Sequence, residues 1–139
     1  MAFRLLRLLH LYRRQEEHCL LLFQAALAKR REAEELVRQY QQKLAPAAPP
    51  LGYADGEQLR KTWAYRGFIA QQLTLAREQL VAVTHEAEQA RAELLAAGRR
   101  RKTLEHLQER YAAQVRREQA RKEQALLDEA GLRSYWADM

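Results

Sequence analysis

The chain has 139 residues, 30% of them charged, a formal net charge of +6, five glycines and one cysteine. One cysteine closes no internal disulfide, which suits a reducing compartment, and a charged, glycine-poor chain of this length suits an exposed helical assembly better than a pocketed globule. Arginines interrupt every apolar run well short of the ~20 residues a membrane span needs, so stable membrane insertion is excluded.

The first predicted element is a helix over about residues 2–44. Leu5, Leu8, Leu9, Tyr12, Cys19, Leu22, Phe23, Ala26, Ala33, Leu36, Val37, Tyr40 and Leu44 form a heptad stripe with one flank added. Its opening turns, Met1 to Arg14, are amphipathic and basic, a pattern that suits either a peripheral membrane contact or packing at the open end of a coiled coil. They lack the long apolar core and small-residue cleavage site of a secretory signal. Cys19 lies on the stripe and reads as a small hydrophobe.

A break follows at residues 45–56. It holds all three prolines, Pro46, Pro49 and Pro50, together with Gly52 and Gly56. Proline inside a helix removes an amide hydrogen bond and clashes with the preceding turn, so no helix is expected to run through it.

The second predicted helix covers about 57–132, with Leu59, Ile69, Leu73, Ala76, Leu80, Val83, Ala87, Ala90, Leu94 and Ala97 on one face. The fold class is therefore all-α: a single coiled-coil domain over 1–139, built as an antiparallel hairpin whose second helix is longer and overhangs. Folding about Leu51 sets Leu5 opposite Ala97, Tyr12 opposite Ala90, Cys19 opposite Val83, Ala26 opposite Ala76 and Ala33 opposite Ile69. Large residues then tend to meet small ones, as interdigitated packing requires. In that register the second helix loses its partner from Lys102 onward, an overhang on the order of 45 Å at 1.5 Å per residue. It keeps an apolar stripe at Leu104, Leu107, Tyr111, Val115, Ala125 and Leu132, and a lone solvated helix needs none. The overhang is the candidate partner-binding surface; a frayed tail or a self-association contact is the plain alternative.

Charge is uneven along the chain: residues 1–44 carry a net +4, residues 45–98 a net −1 and residues 99–139 a net +3. The end that bears the termini is expected to seek an acidic surface. Arg99 to Lys102 and Arg116, Arg117, Arg121 and Lys122 are basic runs, but Glu105, Glu109, Glu118 and Glu123 interleave with them at spacings suited to ion pairing on a helix surface. That is a solvated face rather than a nucleic-acid stripe, so no nucleic-acid partner is expected. His10, His18, His85 and His106 are scattered, and no His-Glu-x-x-His spacing, paired cysteines or glycine-rich phosphate loop occurs. No catalytic residue, cofactor or metal is expected, and the chain reads as a non-enzyme.

Three segments carry a likeness. The opening Met-Ala-Phe-Arg-Leu with Arg13 to Glu17, the run Trp63-Ala-Tyr-Arg-Gly-Phe-Ile69, and Arg99 to Glu129 together resemble the FliJ family of flagellar type III export proteins. The likeness spans nearly the whole chain, departing at Leu44, where a second tyrosine is expected, and by one residue in the Trp63–Phe68 spacing. The virulence-associated type III stalk proteins share the plan.

The resemblance implies a cytoplasmic coiled-coil stalk, peripheral to the inner membrane at the export apparatus. Its partners would be a hexameric export ATPase, a membrane export gate protein and export chaperones. The ATPase-facing set would be Phe3, Leu5, Leu8, Tyr12, Arg101, Leu104, Leu107, Tyr111 and Val115. The gate-facing set would be Val37, Tyr40, Phe68 and Gln72. Packing competes with function here: Tyr40 sits on the core stripe, and Trp63 and Phe68 suit caps on the coil near the turn. The alternatives are an injectisome stalk of the same family, a general coiled-coil export chaperone without a rotary role, and a purely structural subunit.

Overall fold

The computed structural model describes residues 2–45 and 56–138, with side chains from Arg4 onward. The proline-bearing break and the proposed fold point at Leu51 lie outside the described residues, as does the side chain of Phe3. Helix α1 spans Ala2–Leu44 and helix α2 spans Gly56–Ala137. Both are rich in Ala, Leu, Arg, Glu and Gln, the residues that lose least on entering a helix. The amide of Ala45 still reaches the Gln41 carbonyl at 2.9 Å, and Pro46 follows, disfavouring helical backbone in the residue before it. Glu57 in the first turn of α2 complements the positive end of the helix dipole. The two helices pack against each other as an antiparallel hairpin, and no strand occurs among the described residues.

The chain divides into two compact units, Glu17–Ala96 and Met1–Glu16 with Ala97–Met139. In the unit Glu17–Ala96, covered side chains recur at alternating steps of three and four, the coiled-coil period. Val37, Leu73 and Ala76 form its buried cluster, with Tyr40, Leu44 and Leu80 packed against them. Arg66 donates from Nη2 to the carbonyl of Leu44 at 3.4 Å, satisfying one of the carbonyls that the end of α1 leaves open. In the unit of Met1–Glu16 and Ala97–Met139, Leu9, Ala97 and Leu104 are buried, and Leu5, Tyr12, Glu16, Arg101, Gln108 and Tyr111 are half-buried between them at the same period.

Two expectations are corrected. The register obtained by folding about Leu51 puts Leu5 on Ala97, but Leu5 shares a groove with Gln108, Tyr111, Ala112 and Val115. Likewise Val37 packs on Leu73 and Ala76 rather than coming level with Tyr65. The Leu5 displacement is about two heptads, a slide that leaves apolar residues facing apolar residues, so the stripe alone does not choose. The second correction follows from the first. Lys102 is not where α2 loses its partner: α1 covers α2 as far as Tyr111, and every described residue from Gln114 to Asp138 is exposed.

Candidate functional site

The unit formed by Met1–Glu16 and Ala97–Met139 brings together most of the residues expected to face an ATPase, but in two distinct settings. Leu5, Tyr111 and Val115 line one side-open groove of about 280 Å³ with Gln108, Ala112 and Arg116. Leu104 is only 7% exposed and Tyr12 is half-buried, so both belong to the seam between the helices. Leu8 and Leu107 are exposed, at 41% and 47%, and are presented to solvent. A contact surface can use Leu8, Leu107 and Val115 directly, whereas Leu104 acts through the packing that holds them.

Arg101 stands in a polar cluster. Its Nε donates to the carboxylate of Glu16, and its Nη1 donates to both carboxylate oxygens of Glu105 at 3.0 Å. Arg13 adds an ion pair to Glu105 at 3.6 Å. Its bond to Glu16 first, and to Glu105 second, holds the Arg101 guanidinium above its ordinary value. The bonds from Arg101, with a smaller contribution from Arg13, hold the Glu105 carboxyl below the usual carboxylate range. A lowered carboxyl contributes stability that is present above the ordinary glutamate range, near ~4.3, and is lost as pH falls through its folded value. Glu105→Gln should therefore be less stable than the parent at pH 7, and the gap should close as pH falls from about 5 to 3. Thermal unfolding followed by circular dichroism across that range checks it, and a gap independent of pH would refute it.

The basic runs behave differently from expectation. Among the described residues Arg101 has carboxylate partners, but Arg99, Arg100, Lys102, Arg110, Arg116, Arg117, Arg121 and Lys122 form no ion pair with the interleaved acids. Their side chains are exposed, so a pair there gains little against its lost freedom.

In the unit Glu17–Ala96, Tyr40 and Gln72 line a shallow groove with Leu36, Leu75, Ala76, Glu78 and Gln79. Val37 does not line that groove; it is 8% exposed and clustered with Leu73 and Ala76. Phe68 is not part of that groove and is 55% exposed, as are Trp63 at 65% and Tyr65 at 53%. Exposed aromatics carry a large apolar surface with no internal partner, the kind of side chain that anchors contacts.

Sequence reading passed over five residues that the structure brings forward. Glu16 was hidden because a stripe search skips charged residues, although its position falls on the heptad between Tyr12 and Cys19. Leu126, Leu127, Tyr135 and Trp136 are all more than 60% exposed near the end of α2; local sequence cannot show that nothing covers them.

Among the described residues no group of His, Cys, Asp and Glu is arranged to hold a metal ion, and no helix is long and apolar enough to cross a membrane. The fold and these surfaces define a coiled-coil hairpin protein whose candidate working parts are exposed apolar and basic faces. A family model described as Flagellar FliJ protein matches residues 1–139, and the chain belongs to that family. No curated protein and no solved structure gives a significant match. Membership identifies the chain as a component of the flagellar export apparatus.

Proposed function

We propose that this protein is the coiled-coil stalk of the export apparatus: it binds within the hexameric export ATPase, couples it to the membrane export gate, and engages export chaperones. It acts in the cytoplasm, peripheral to the inner membrane, and contributes mechanics rather than chemistry. The observation that carries the reading is the family match over the whole chain. The terminal unit supports it by presenting Leu8, Leu107 and Val115 beside a run of cations without carboxylate partners, a combination suited to an acidic, partly apolar channel.

The test is ATP hydrolysis by the cognate export ATPase, titrated with this protein, with mass photometry of the ring in parallel. Stimulation with a single copy bound per hexamer is the expected result. Absence of binding to the ring would remove the stalk role and leave an escort of chaperones or substrates.

A further inference from the structure

Among the described residues, the seam between α1 and α2 in the unit of Met1–Glu16 and Ala97–Met139 holds two opposite charges, Glu16 and Arg101, at heptad positions. Glu16 continues the heptad series after Leu9 and Tyr12, and Arg101 lies between the buried Ala97 and Leu104. Both occupy positions that an ordinary coiled coil fills with apolar side chains. They are mostly covered, with 27% and 25% of their side-chain surface exposed. Glu105, at 31%, and Arg13 complete the hydrogen-bonded set. A charged pair at seam positions adds little net stability compared with apolar residues, and its best-attested use is to specify register.

We propose that Glu16 and Arg101, braced by Glu105 and Arg13, lock the register of the hairpin against a second one about two heptads away. The apolar stripe tolerates that second register: Leu5 would meet Ala97, Tyr12 would meet Ala90, and Cys19 would meet Val83. The charged pair does not. Glu16 would come opposite Glu86, with Ala87 beside it and no cation of α2 at hand, while Arg101 would come level with the very start of α1. A covered carboxylate without a partner is the expensive state, so the lock works by penalising the wrong register. The consequence rests on the stalk reading: in the slid register α1 would no longer cover Leu104 and Tyr111, so the lock also sets which face of α2 a partner meets.

The test is a spin-label distance measurement on the full chain. Labels go on His10→Cys and His106→Cys in a Cys19→Ser background; His10 and His106 are both exposed and lie outside the cluster. The parent should show one short distance. Replacing the pair by apolar residues, Glu16→Leu with Arg101→Leu, should keep the helicity and release the register. A second population should appear in at least about a tenth of molecules, displaced by about 21 Å along the axis. Arg101→Glu, which sets like charges on Glu16 and Glu105, should populate it too. If that variant loses helicity, the double leucine variant decides. A single short distance in the helical double leucine variant would overturn the lock. ATPase stimulation by the same variant separates the two readings: two distances with undiminished stimulation would leave the lock standing and remove its role in ATPase contact.

Discussion

Leu104→Ala lowers the stability of the hairpin by about 2–4 kcal/mol, whereas Leu107→Ala, three residues further along the same helix, changes it by no more than about 0.5 kcal/mol. The sequence presents the two leucines as members of one sticky stripe. The structure separates them: Leu104 is 7% exposed and Leu107 is 47% exposed. Removing Leu104 opens a void in a seam only one side chain thick, with few neighbours able to collapse into it. Urea unfolding followed by circular dichroism measures both effects, and equal costs would refute the assigned register. The same contrast refines the ATPase experiment. On the stalk reading, Leu107→Asp combined with Val115→Asp should keep the helicity and weaken ATPase binding at least tenfold, a loss of about 1.4 kcal/mol or more. An aspartate at Leu104 would confound binding with unfolding.

Trp63→Ala combined with Phe68→Ala should leave unfolding within about 1 kcal/mol of the parent, because neither ring is covered. On the stalk reading, the same variant should weaken binding to the export gate at least tenfold, or about 1.4 kcal/mol. Val37→Ala should do the reverse. Val37 is buried with Leu73 and Ala76, so its truncation should cost stability of about 1–2 kcal/mol and affect the gate only through lost helix. Calorimetric titration of the soluble gate domain, alongside thermal unfolding, reads both. Gate affinity unchanged by loss of the two aromatics would remove them from the interface and leave Tyr40 and Gln72, which share a groove in the same unit, as the remaining candidates.

The two expected surfaces divide along the same physical line. Val37, Tyr12 and Leu104 belong to packing, and any functional role they have runs through the seam. Leu8, Leu107, Val115 and Phe68 carry apolar surface that no described part of the chain covers. Leu5, Tyr111, Tyr40 and Gln72 lie between, lining grooves that an incoming side chain could enter.

Sequence alone determined that this protein is two long helices joined at a proline-rich break, that they pair antiparallel, and that it resembles the flagellar export family. These are local or whole-pattern properties. Helix propensity, the missing amide of proline and the seven-residue period each read directly from the order of residues, and the length difference between the arms is a matter of counting. Register was not legible in the apolar stripe, because a stripe repeating every seven residues fits its partner equally well after any whole-heptad slide. Tertiary structure decided it, placing Leu5 in the groove with Tyr111 and Val115, and Glu16 on Arg101. With register came everything that depends on knowing what lies opposite: which leucines are core, where the overhang begins, and which aromatics remain for partners. A repeating pattern specifies the interface but not the offset, and only the few side chains that break the repeat can set it.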